Sequence, residues 1–181
     1  MKAQPGAAGT TRWRTLEFGA RRAHRLHLGH LTPASVHRPE DATTTREPQG
    51  TRDELRPATW AALVRGCELY TGARYFEAHE AWEVAWLAEE GEVRLLLHGL
   101  ILVAAGFVKA FRGRPAGAVK HLEAAARKLE ALPADMAGVG LAQFRDELAQ
   151  AVEAARRWRD GAAGSLEARP PTLRLRTSRG P

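Results

Sequence analysis

Between Tyr75 and Trp86 the chain reads YFEAHEAWEVAW, which crowds a histidine, three carboxylates and several aromatic rings into about three helical turns. His79 and Glu83 are four residues apart, so on a helix an imidazole and a carboxylate stand side by side. Such a pair can share a hydrogen bond, raise the histidine pKa, or offer one nitrogen and one oxygen to a divalent metal. A histidine at the edge of an apolar face can equally be a hydrogen-bonded packing residue. The segment His79-Glu80-Ala81-Trp82-Glu83 also resembles a zinc-peptidase helix in which Glu80 would be the base, but the second histidine of that motif is here Glu83. His79 and Glu83 would supply two metal ligands, whereas a catalytic zinc uses three and an open position. No cofactor is identified beyond that divalent metal.

The element that carries this pair has one apolar arc, formed by Tyr75, Ala78, Trp82, Ala85 and Trp86, while Glu77 and Glu80 fall away from it. The next segment, Glu92 to Arg112, must form its partner. From Leu95 to Val108 every residue except His98 is apolar or glycine, which suits a helix buried all round in the middle of a bundle. A membrane span needs about 20 apolar residues, and this run stops at Lys109, so no membrane is expected. His98 and Lys109 lie along one line of the helix, with Leu102 and Ala105 between them. Lys109 can snorkel to water near the helix end, whereas His98 needs a partner. If the two helices pack antiparallel through the turn from Ala88 to Gly91, that line would bring His98 toward Glu83 or His79. The candidate cluster is therefore Tyr75, His79, Glu80, Trp82, Glu83, Trp86, His98 and Lys109.

The run Gly72, Tyr75-Phe76-Glu77-Ala78-His79-Glu80, Glu83 and Trp86 is followed by Gly99-Leu100-Ile101, then Arg112-Gly113-Arg114-Pro115 with Gly117-Ala118. Over about Thr59 to Leu132 this resembles a bacterial family catalogued as domain of unknown function 309. The resemblance implies an all-α bundle with a histidine-glutamate helix on a central apolar helix, and no established activity. Where the family's central helix often begins Gln-Gly-Leu-Ile-Gln, this chain has His98-Gly99-Leu100-Ile101-Leu102. The polar seam is thinner at Leu102, while His98 keeps a hydrogen-bonding side chain.

The rest of the pattern gives an all-α fold, a compact bundle of about five helices with a central hydrophobic helix, over residues 53–160. Pro57 can open a helix whose stripe Trp60, Leu63, Val64, Cys67, Tyr70 ends at Gly72. Pro115 opens another, stopped by Pro133, and Leu141 to Trp158 form the last. Strand signals are absent. The openings at Gly72–Ala78 and Gly113–Ala118, about 41 residues apart, echo helical-hairpin repeats, although only two units exist.

Residues 1–52 hold nine Lys/Arg against four Asp/Glu, residues 53–160 fourteen against sixteen, and residues 161–181 four against one. The positive excess thus lies in two tails expected to be disordered, and the domain is slightly acidic. Nucleic-acid binding is not expected beyond nonspecific tail contacts. His24, His27 and His30, with His37 beyond, could align to bind a metal. A translation start set upstream of the true one would also yield the first tail, since domain-like sequence begins at Leu55 to Pro57. Cys67 is the only cysteine and sits on an apolar stripe, which fits a reducing, cytoplasmic setting.

Three functions fit these residues. One is a noncatalytic domain whose cluster locks the fold or holds a small ligand or metal. Another is a protein-interaction or homo-oligomerisation module of paired helical hairpins, anchored by Trp60 or Trp82. The third is a metal-assisted hydrolase using His79 and Glu83, with Glu80 as base.

Overall fold

Prolines and glycines mark where this chain starts and stops its helices. In the computed structural model, which describes residues 55–162, 165–166 and 169–176, the order is α1 (Pro57–Thr71), α2 (Tyr75–Ala88), α3 (Gly91–Phe111), α4 (Pro115–Glu130), β1 (Asp135–Met136), β2 (Val139–Gly140) and α5 (Ala142–Arg159). Each helix packs on the next in sequence. The ring of Tyr70 on α1 comes within 6.5 Å of Phe144 on α5. The fold is the expected all-α bundle of five helices. All described residues fall in one compact unit, Thr44–Pro181, so the tail proposed for residues 1–52, with His24, His27, His30 and His37, lies outside them.

The faint echo along the sequence is a structural repeat of two hairpins. The α1–α2 and α3–α4 turns each place one residue in the left-handed region, Ala73 at φ 58° and Gly113 at φ 64°. Both close with the same bonds: Arg74 N–H to Leu69 O and Arg114 N–H to Lys109 O, a six-to-one closure that satisfies carbonyls otherwise orphaned at the helix end. Seven residues before each turn a glycine lets the following helix approach. A Cβ at Gly66 would fall 2.1 Å from the Trp82 indole nitrogen, and one at Gly106 2.7 Å from Leu122 Cδ2. Trp82 and Leu122 are both fully buried.

α3 is the middle helix, held between α2 and α4. Leu96, Leu97, Leu100, Val103, Ala104 and Phe107 are buried there, and burying each large side chain stabilises the fold by about 1.5–3 kcal/mol before entropy is counted. By length and composition alone α3 could cross a membrane. Its apolarity is accounted for by two packed neighbours.

Two features depart from the sequence expectation. β1 and β2 form a minimal antiparallel hairpin, with Met136 opposite Val139. Its two turn residues, Ala137 at φ 52° and Gly138 at φ 77°, both take the conformation of a type I′ turn. Strands of two residues leave no alternation to read. The other departure concerns residues 161–181, expected as a disordered basic tail. Residues 169–176 instead lie on the bundle: Leu175 bridges Val139 antiparallel, Gly140 N–H donates to Arg174 O, and Arg176 N–H donates to Gly138 O. Pro171 is buried, Glu147 accepts the Thr172 amide, and Arg176 pairs with Asp135. The hairpin's open edge explains this, because an unpaired row of backbone groups accepts one more extended segment.

Candidate functional site

α2 carries its chemistry on three sides of one helix. The apolar arc is as expected at Tyr75, Ala78, Trp82 and Ala85, all buried, with Trp86 at its margin. Trp82 belongs wholly to the core: its ring lies on Gly66 and its indole N–H donates to Leu63 O at 3.3 Å. It therefore cannot serve as an exposed anchor for a partner. Tyr75 packs edge-on to Tyr70 and stacks with Phe111 at 5.6 Å. Glu80 points away and is exposed.

The sequence places His79, Glu83, Trp86, His98 and Lys109 in one cluster, but the structure divides them between two ends of the α2–α3 seam. At the end nearest the connecting turn, the rings of Trp86 and His98 meet at 5.1 Å. Arg94 lies over the Trp86 ring at 4.3 Å and donates to the carbonyls of Trp86 at 2.9 Å and Glu89 at 3.1 Å. One guanidinium thus caps the end of α2 and covers its last indole, combining charge-assisted hydrogen bonds with a cation–π contact. Arg56, just before α1, binds the Glu89 carboxylate, and Thr59 of α1 donates to it as well. Burial holds the His98 imidazole below the ordinary histidine range, and Lys128 and Arg94 lower it further.

At the other end, His79 lies beside a cleft of about 220 Å³ formed with Phe76, Ala105, Val108, Lys109, Arg112 and His121. His79 Nδ1 is 3.9 Å from Glu83 Oε2, too far for a hydrogen bond, and has no other partner although the atom is buried. The Phe76 and His79 rings are nearly parallel, 6.4 Å apart. His121 reaches the cleft from α4 and binds its own helix through Nδ1, 2.7 Å from Gly117 O. A carbonyl can only accept, so Nδ1 carries the proton and Nε2 is left to face other partners. Lys109 lies in the last turn of α3, and its stem runs along the first turn of α4: a Cβ on Gly117 would come 3.2 Å from Lys109 Cγ.

The expected approach of His98 to Glu83 or His79 is therefore corrected. Counting outward from the turn at Glu89–Glu90, Trp86 comes opposite the first part of α3, where His98 lies, and His79 opposite its last part. His98 meets an indole instead of a carboxylate. Arg94, Arg112 and His121 escaped the sequence-based cluster. Arg94 stands one turn before His98 and Arg112 one turn after Lys109, so spacing along α3 could have found both; His121 comes from another hairpin and has no local signal.

As metal ligands, His79 and Glu83 have no third donor: among the described residues no three His, Cys, Asp or Glu side chains are grouped so as to hold an ion. Glu80 does not line the cleft, which contains no carboxylate at all. Cys67 is buried, and burial pushes its thiol up to about 12, with the Glu68 charge adding to the effect. It is no nucleophile at neutral pH.

Fold and site together define a small domain of paired helical hairpins with a basic cleft beside a histidine-bearing helix. The model of one protein family, described as Domain of unknown function (DUF309), matches residues 63–121, and this stretch of the chain is similar to that family. The match runs from within α1 into α4 and takes in both ends of the seam. No curated protein matches the chain.

Proposed function

We propose that this is a noncatalytic binding domain in which the Trp86–His98 end of the seam locks the hairpins together and the His79 end receives a small ligand. The supporting observation is the contrast in how the space and the cations are used: the first end is filled by Arg94, whose hydrogen bonds cap α2, whereas the second has an open cleft lined by Lys109 and Arg112, with a buried His79 nitrogen that has no partner. Native proteins leave few buried polar atoms unpaired; Trp86 Nε1 and Tyr70 Oη are unpaired as well, and the His79 nitrogen is the one beside the cleft lined by cations, where a ligand group would pair it. The volume of about 220 Å³ lies below the usual range for drug-sized ligands, about 300–1,000 Å³, which favours a small molecule. The lone buried cysteine supports a reducing, cytoplasmic setting.

A thermal-shift screen of small polar molecules and divalent metals, run on the wild type and His79→Leu, tests this. Saturable stabilisation by some molecule, lost in the variant, is the expected result; metals alone give none. A full screen without a single saturable shift would overturn the binding role and leave a structural domain.

A second reading, of an interaction or homo-oligomerisation module, is favoured by Val84 and Leu87, which stand exposed on the outer side of α2. A second copy of the chain is the partner these would suit. Sizing chromatography of the wild type and Leu87→Asp decides it: a dimer that the substitution splits supports this reading, and a monomer removes it.

A further inference from the structure

Resting on the ligand-binding reading above, we propose that the cleft between α2, α3 and α4 takes a small organic anion, a phosphate monoester, with the phosphate held by Lys109, Arg112 and His121 and the organic group laid on Phe76 and Val108. Four of the side chains that line the cleft are basic or can become so, and none is acidic. Some arginines among the described residues pair with carboxylates, Arg56 with Glu89, Arg74 with Glu77, Arg156 with Glu123, Arg159 with Asp160 and Arg176 with Asp135, while others such as Arg114, Arg127 and Arg157 do not, so what distinguishes Lys109 and Arg112 is that both line one cleft. Lys109 and Arg112 have no such partner among the described residues. In a domain that is acidic overall, two basic side chains that line one concavity without a carboxylate among them leave a local positive potential that a ligand anion would neutralise.

The surrounding backbone adds to this. The first turn of α4 adjoins Lys109 at Gly117 and has no side-chain cap, so its free amides add partial positive charge on the same side. Gly117 matters because any side chain there would press on the Lys109 stem. His121 is tied down through Nδ1, which fixes its ring while leaving Nε2 to donate when protonated. A guanidinium, an ammonium and an imidazolium suit an oxyanion with three terminal oxygens better than a planar carboxylate. The other wall of the cleft is apolar, with Phe76, Ala105 and Val108, so the anion carries an organic group. The cleft volume equals about seven waters at about 30 Å³ each, enough for a phosphate and a short or flat substituent.

The test uses the full chain and isothermal titration calorimetry at matched ionic strength with phenyl phosphate, benzoate and benzyl alcohol. Phenyl phosphate binds saturably, and more tightly than benzoate. Lys109→Met and Arg112→Gln each weaken it about tenfold or more, the scale of a lost charge-assisted hydrogen bond. Lys120→Met, an exposed position on α4 outside the cleft, leaves it unchanged. Helical circular dichroism retained in each variant shows that the loss is not unfolding, and Arg112, which is exposed, guards against an unstable Lys109 variant. Benzoate binding as tightly as phenyl phosphate overturns the phosphate assignment. Benzyl alcohol binding equally well overturns the anion while leaving the small-ligand reading intact. Phenyl phosphate bound undiminished by both cleft variants overturns the proposed site.

Discussion

The two ends of the α2–α3 seam are built from the same kinds of residue and come out opposite in character. At each end a histidine adjoins an aromatic ring and basic side chains, His98 with Trp86 and Arg94, His79 with Phe76 and Lys109. At the first, the cation is taken up by the protein itself, since Arg94 Nη1 donates to two backbone carbonyls and the guanidinium lies on an indole, whose own Nε1 stays unpaired. At the second, Lys109 and Arg112 meet no carboxylate among the described residues and His79 leaves a buried nitrogen unpaired. The lesson is that residue type does not separate a lock from a site; whether the cations are taken up by the protein's own groups and the space between the helices is filled does.

That contrast can be broken most forcefully at the closed end. Trp86→Ala removes the surface on which both Arg94 and His98 rest, and because truncating a packed tryptophan typically costs about 3–5 kcal/mol, a loss near the lower limit is expected for this half-buried ring. Urea unfolding measures it, and a loss below about 1 kcal/mol would show that this end does not hold the hairpins together. Arg94→Ala comes next, with an expected cost of about 1–3 kcal/mol from two carbonyls left without their donor and the lost cation–π contact. Arg94→Lys should recover only part of it, because an ammonium cannot lie flat on the ring while reaching both carbonyls.

His98 sharpens the comparison through pH. Its pKa in the fold lies below the unfolded value, so the neutral imidazole is the stabilising form. The unfolded chain then binds more protons between the two pKa values. The His98 contribution is present above the unfolded value of about 6.5 and is lost as pH falls through the lower folded pKa. His98→Gln keeps a hydrogen-bonding side chain and should flatten that part of the stability curve, as followed by urea midpoints from pH 7.5 to 5. An unchanged curve would mean that His98 does not titrate under strain.

The smallest stability effects are expected at the open end. Lys109→Met and Arg112→Gln should change unfolding free energy by no more than about 0.5 kcal/mol, the usual scale for surface changes away from structural features, or raise it by removing like-charge repulsion. A cost comparable to that of Arg94→Ala would place a second lock where the account has a cleft.

Much of this arrangement is legible in the chain. Pro57, Gly72, Pro115 and Pro133 bound helices to within a few residues, and the arc Tyr75, Ala78, Trp82, Ala85 is the buried face. The line from His98 to Lys109 does face α2, at Trp86 at one end and beside His79 at the other. Periodicity gives a face, however, and not the register between two faces, so spacing alone brings His98 toward Glu83 or His79 when it belongs with Trp86. What arrives from elsewhere in the sequence is invisible to local spacing: His121 from α4, and residues 169–176, whose place is set by a hairpin edge only two residues long. Ala137 at positive φ hid that hairpin, because alanine gives no turn signal there.

The distinction between the two ends is tested most directly by following histidine side-chain resonances by NMR while phenyl phosphate is titrated into the full-length protein. Saturable shifts of the His79 and His121 imidazoles, with His98 still, are the expected result. Shifts of His98 as large as those of His79, or no saturable shift at any of the three, would contradict it.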